Sequence, residues 1–238
     1  MPRALARCAA VITISDCSRR DILARWPELE PKLSVIPHGI NQAYLDEHTL
    51  PTRSELQMQL GQHPYLVYLG GPLARKRFDW ALKVLEALGH TELQLVACGF
   101  GEASRATAQA LVPAALQERV HFAPFLADEH LLALYRGATA VLYPTLYEGF
   151  GFPAIEAQAA GTPAIFSALG SLAELVGPLA DVVPAEDLSA WIAAVRRALA
   201  LGTERQVRAM AAREWASRFS WARSSQDHLQ VYERACGR

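Results

Sequence analysis

Several functional classes leave marks that this sequence lacks. Its four cysteines, Cys8, Cys17, Cys98 and Cys236, form no C-x-x-C pair and have no metal-like spacing to histidine. They read as reduced thiols of a cytosolic protein rather than as a disulfide framework. Excess charge of either sign is missing as well. A formal net charge of −1 argues against nucleic-acid binding through bulk charge, while leaving room for a local basic site. No run of residues looks like a membrane span: Ala157 to Ala173, the longest uncharged stretch, is interrupted by glycines, a proline and serines and is too short to cross comfortably. Arg3 and Arg7 ahead of AAVITIS superficially resemble a secretion leader. The apolar run is short, however, Asp16 closes it, and no small-x-small cleavage site follows, so a core strand is the better reading. Internal repeats and low-complexity tracts are absent too.

What the chain does have is apolar material in short, regular blocks. Of 238 residues, 51% are hydrophobic and 20% charged, enough to bury a substantial core. Strands are expected at 9–15, 33–37, 65–71, 93–99, 120–125, 140–145, 163–167 and 181–184, with helical patterns between most of them. On the stretch DLSAWIAAVRRALA, Leu188, Trp191, Ile192, Val195 and Leu199 fall on one helical face. Strands this apolar, separated by helix-length crossovers, predict an α/β fold: a doubly wound, Rossmann-like parallel sheet built around 63–200. Its ligand is expected at the carboxyl ends of the strands.

Both ends fall outside that sheet. Residues 1–40 offer strand, helix and strand, too little to bury their own apolar faces. Residues 41–64 are polar and turn-rich, and read as a linker to a domain over 65–202. Residues 203–238 read as two arginine-rich helices broken near Phe219-Ser220, with Ser220 as N-cap of the second.

Chemistry is concentrated in YPTLYEGFGFPAIEAQAAGTP, residues 143–163, where Glu148 and Glu156 are separated by seven residues. Pro153 fits a first helical turn and Gly161 a position just past the helix end. Glu148 is then on a loop at a strand's carboxyl end, and Glu156 about one turn into the helix. Gly149 and Gly151 let backbone approach a ligand closely, and the free N–H groups of the following helix suit a phosphate. Two carboxylates beside a phosphate cradle suggest sugar hydroxyls on either side of a diphosphate, as in a nucleotide sugar. Ordinary solvated glutamates at a helix start are the bland alternative. A second loop, GGPLARKRF at 70–78, follows another strand. Arg75, Lys76 and Arg77 there suit a diphosphate, though three consecutive cations cannot all face one ligand. His38, Glu174, His121 and His130 read as turn, capping, structural or solvated residues.

With both loops placed, the chain resembles the glycosyltransferase family 4 members of the GT-B fold. The matching pieces are ITISDCSRRDIL, SVIPHGI, YLGGPLARKRFD, VHFAPFLADEHLLALYRGATAVLYPTLYEGFGFPAIEAQAAGTPAIFS, LAELVG and, near the end, FSWARSSQDHLQVYERA. The resemblance implies the C-terminal, donor-binding half of that fold, acting with retention on a nucleotide-diphosphate sugar. It implies that Glu148 contacts donor-sugar hydroxyls and Glu156 the ribose. Gly70 and Gly71 would belong to the donor site, backbone at Gly149, Phe150 and Gly151 would hold the phosphate and sugar, and Arg75 and Lys76 would neutralise the leaving diphosphate. No cofactor and no metal are expected, and the sequence has no D-x-D.

Two departures stand out. Many members carry Gly-Arg where this chain has Gly70-Gly71, so Arg75 is expected to take that arginine's place. The acceptor-binding N-terminal domain is represented only by residues 1–40, resembling its closing strand–helix–strand. The PLARK spelling resembles bacterial mannosyl- and rhamnosyltransferase-like members, a hint towards a GDP-sugar. The expected partners are a nucleotide sugar and a glycan or lipid-linked acceptor, with no nucleic acid. The resemblance also allows peripheral contact at the inner face of a membrane, and a separate chain that supplies the N-terminal domain. Two other readings stand beside this one. One is a non-catalytic nucleotide-binding subunit or scaffold. The other is an NAD-binding Rossmann protein, since CGFGEAS nearly spells G-x-G-x-x-G with Ser104 replacing the last glycine.

Overall fold

The computed structural model describes residues 3–49, 52–89 and 92–237. Residues 50 and 51 of the expected linker lie outside the described residues, as do the outermost residues of the two end segments. In chain order the elements are α1 (Arg3–Arg7), β1 (Val11–Thr13), α2 (Asp16–Arg25), β2 (Leu33–Val35), α3 (Glu55–Leu60), β3 (Tyr65–Leu69), α4 (Phe78–Leu88), β4 (Gln94–Cys98) and α5 (Glu102–Ala110). They continue with β5 (Val120–Phe122), α6 (Asp128–Gly137), β6 (Ala140–Tyr143), α7 (Phe152–Ala159), β7 (Ala164–Phe166), β8 (Ala180–Val182), α8 (Leu188–Ala200), α9 (Glu204–Ala216) and α10 (Trp221–Ala235).

Strands β3 to β8 form one parallel sheet in the order β5-β4-β3-β6-β7-β8. Alternation along the strands divides the core between the two faces. Val67, Val96 and Val141 face α6 and α7, packing with Leu132, Tyr135 and Ile155. Leu66, Leu95 and Leu142 face the other way, against Leu85 of α4 and Trp191 and Val195 of α8. Helices on both faces explain why the strands read as continuous apolar runs. The order reverses between β3 and β6, which pair directly through Tyr68 and Leu142. A crevice opens beyond the strand ends at such a reversal.

Strands β1 and β2 pair with each other, parallel and apart from the main sheet. Ile40 ties the following segment to the turn ahead of the last helix, its N–H donating to Phe219 O at 3.0 Å. Ser220 caps α10, accepting from Arg223 N at 3.5 Å.

Four local differences from the sequence expectations have physical causes. The stretch 41–64 contains α3, which a capping box between Ser54 and Gln57 secures. The helical pattern 102–116 stops at Ala110; Pro113 cannot continue it, and a 3-10 turn follows at Ala114–Arg119. SLAELVG forms only a 3-10 turn, Gly170–Glu174. On α8, Leu199 is exposed, while the smaller Ala194 and Ala198 fill the buried stripe.

Candidate functional site

Because β3 and β6 adjoin at the reversal, the loops that leave them lie side by side. Leu146 N donates to Arg75 O at 2.8 Å and ties them together. Tight backbone packing shapes both. Gly71 has φ +59°, and a Cβ there would stand 2.4 Å from Gly99 O. Gly151, just ahead of α7, has φ +110°, and a Cβ there would meet Leu172 Cδ2 at 2.5 Å. No side chain caps α7, so its amino end is left to a ligand or to water.

Glu148 is the centre of the site. Its Oε1 accepts from Arg75 Nη1 at 2.8 Å and Thr145 Oγ1 at 2.8 Å, and Lys76 Nζ stands 2.5 Å away. Arg75 Nη1 also donates to Tyr147 O at 2.7 Å, and Lys76 Nζ to Tyr143 OH at 2.7 Å. The side chains of Lys76 and Glu148 are only 14% and 10% exposed, against 46% for Arg75, so Arg75 is the more accessible of the two cations. Burial pushes the Glu148 carboxyl up, but the hydrogen bonds from Lys76 and Thr145 and the Lys76 charge outweigh it and hold it below the ordinary carboxylate range. Arg77 turns away: it pairs with Asp79 at 3.1 Å and Glu186 at 3.6 Å. It is also the one non-glycine with positive φ among the described residues.

Glu156 lies one turn into α7, within a group of aromatic side chains. Tyr135 OH donates to its Oε2 at 3.0 Å, and Tyr44 packs on Tyr135 with ring centroids 5.9 Å apart. Burial, with the Asp128 charge adding to it, raises the Glu156 carboxyl to about 7 despite the Tyr135 hydrogen bond. One carboxylate is thus held ionised by cations, and the other is poised to titrate near neutrality.

Sequence reasoning missed the residues that hold Glu148 and its loop in place. Thr145 and Tyr143 bind the Glu148–Lys76 pair, and Ser171 fastens the loop from below. Its Oγ donates to Glu148 O at 2.9 Å and Phe150 O at 2.6 Å. Glu174 caps a helix far away in sequence: it accepts from Asp16 N at 3.0 Å and Cys17 N at 2.6 Å, at the start of α2. Tyr147 OH bonds to Asp21 on the same helix. His38 stacks on Phe152 with centroids 5.4 Å apart and meets Phe150 edge-on at 5.2 Å. No local pattern marks any of these contacts.

A parallel doubly wound sheet, with basic and acidic loops meeting at its reversal point, is the C-terminal half of a GT-B fold. Comparison with known proteins carries the assignment further. The family described as "Glycosyl transferases group 1" matches residues 63–200, and the chain belongs to it. It is 29% identical over 96% of its length to an MMP alpha-(1->4)-mannosyltransferase of Mycolicibacterium hassiacum, covering 54% of that protein. It is 30% identical over 90% of its length to a D-inositol 3-phosphate glycosyltransferase of Salinispora tropica, covering 48% of that protein. Among solved structures, sucrose-phosphate synthase from Thermosynechococcus elongatus superposes with a TM-score of 0.81 at 27% identity, over 96% of this chain and 58% of that one. The chain therefore spans about half the length of the curated relatives it matches. No helix among the described residues is long and apolar enough to cross a membrane.

Proposed function

We propose that this chain is the donor-binding part of a retaining glycosyltransferase of family 4. It would take a hexose from a nucleotide-diphosphate sugar, with a GDP-sugar favoured, and pass it to a glycan or lipid-linked acceptor. The observation that carries this reading is the Glu148 cluster. One carboxylate oxygen is held by two cations from the neighbouring loop, directly ahead of an uncapped helix start. The name of the Mycolicibacterium relative supports the hexose, and the PLARK spelling supports the GDP-sugar.

In the reaction, the bond between the sugar's anomeric carbon and the diphosphate oxygen breaks. The acceptor oxygen bonds to the same face of that carbon, and its proton passes to the departing phosphate. Arg75 and Lys76 neutralise the charge that accumulates on the diphosphate, one such contact lowering the barrier by ~3 kcal/mol. Glu148 accepts from the sugar hydroxyls while its Oε1 stays on Arg75, Lys76 and Thr145. Glu156 accepts from the ribose.

Calorimetric titration with GDP, UDP and ADP tests the reading. GDP is expected to bind, and Glu156→Ala to weaken it about 10-fold or more, the worth of a hydrogen bond to a charged group. A folded sample that binds none of the three nucleotides would overturn it.

A further inference from the structure

The far end of α7 borders a second basic feature. A cavity of about 430 Å3 is lined by Arg136, Arg205 and Arg213 together with Gly161, Thr203 and Gln206. The amino end of α7 adjoins the Glu148 loop and Gly161 follows its carboxyl end. Eight helical residues at 1.5 Å each separate the two sites by roughly 12 Å.

The three guanidiniums are engaged to different extents. Arg205 donates to Gly161 O at 3.3 Å and to Arg136 O and Thr162 Oγ1 at 3.4 Å. Arg136 donates to Thr49 O and, at 2.6 Å, to Asp46 O, but its Nε is buried without a partner. Arg213 donates no hydrogen bond among the described residues. Its Nε is buried and unpartnered, its side chain is 20% exposed, and its ionic neighbour is Glu47 at 3.6 Å. The nearby carboxylates, Asp46 and Glu47, sit on an exposed loop, and Asp46 is already engaged by His48 N and Thr49 Oγ1.

The buried Nε atoms of Arg136 and Arg213 donate to nothing, and a buried donor left unpaired is costly. Arg136 and Arg213 also repel each other, and burial together with that repulsion lowers the affinity of Arg136 for its proton. A tetrahedral oxyanion would relieve both costs, accepting from the guanidinium fork and offsetting the charge.

We propose that this cavity is an anion site, separate from the donor cleft, that seats a phosphate group on Arg213 beside Arg136 and Arg205. The test is thermal unfolding with inorganic phosphate at ionic strength held constant with chloride. It would use the unmodified chain, Arg213→Gln, Glu47→Gln and Lys76→Ala. At about ten times its half-saturating concentration, phosphate should raise Tm by about 3–5 °C in the unmodified chain and in Lys76→Ala. Arg213→Gln should abolish the rise. Glu47→Gln, on an exposed loop, should lower the half-saturating concentration about 3-fold or more by removing a competing carboxylate; if Arg213→Gln does not fold, this arm carries the test with Arg213→Lys.

A rise that disappears in Lys76→Ala but persists in Arg213→Gln would assign the phosphate to the donor cleft and overturn the proposal. So would an unchanged response in Glu47→Gln. A parallel sedimentation assay uses phosphatidylcholine vesicles with and without phosphatidate. Arg213-dependent binding to phosphatidate without a response to free phosphate would place the phosphate on a lipid headgroup, and no response to either probe would sink the site. None of these outcomes depends on nucleotide binding.

Discussion

The Glu156 carboxyl offers the sharpest test, because one property drives stability and binding in opposite directions. Its value is raised to about 7 in the fold, against roughly 4.3 in an unfolded chain. A raised carboxyl favours folding while it is protonated. That contribution is complete below the unfolded value and is lost as pH climbs through 7. At pH 8 both states are ionised, and the fold bears a buried carboxylate at a cost on the order of 3 kcal/mol. Glu156→Gln removes the charge and keeps an acceptor for Tyr135 OH. It should match the native chain in stability near pH 4 and exceed it at pH 8, by about 5–10 °C in Tm for a chain of this size. Nucleotide binding should respond in the opposite sense. If ribose hydroxyls need the ionised form, a site titrating at 7 loses about tenfold in affinity from pH 8 to pH 6 and releases close to one proton on binding at pH 6. Calorimetry in buffers of different ionisation enthalpy reads that proton directly. Affinity independent of pH, with no proton released, would refute the assignment of Glu156 to the ribose. Equal Tm for the two proteins at pH 8 would refute its raised carboxyl.

The remaining predictions address the groups around it. Gly71→Ala combines φ +59° with a Cβ placed 2.4 Å from Gly99 O, and should cost about 2–4 kcal/mol in denaturant unfolding; a loss below about 0.5 kcal/mol would show that the loop adapts. Lys76→Ala removes the leading source of the depressed Glu148 carboxyl. It should raise that carboxyl in an NMR titration and weaken nucleotide-diphosphate binding about 10-fold or more. An unmoved carboxyl would mean that Thr145 and Arg75 suffice. Glu174→Gln keeps an acceptor at the start of α2 but loses its charge there, so amide exchange across 16–25 should quicken several-fold; unchanged exchange would mean that the Ser15 cap holds the helix by itself.

The sequence by itself determined whatever depends on local pattern. The strands could be read because helices cover both faces of the sheet, which leaves Leu66, Val67 and Val141 no solvent-facing alternative. Ser220 was legible as a cap and Pro153 as a first-turn residue, since both act within one turn of helix. The placement of Glu148 on a loop and Glu156 on a helix followed from the same punctuation. The tertiary structure decided the rest, because the forces that set it join residues distant in the chain. Arg75 meets Glu148 across 73 positions and Glu174 meets Cys17 across 157. Neither pairing has a period or a spacing to read, since each is set by which strands adjoin at the sheet's reversal and by how residues 1–40 lie against it. The same holds for the state of the two glutamates. Identical side chains eight positions apart differ because cations hold one ionised, while burial, with the Asp128 charge adding to it, raises the other. Proton affinity depends on the surroundings of a carboxyl in space, and its neighbours in the chain do not reveal them.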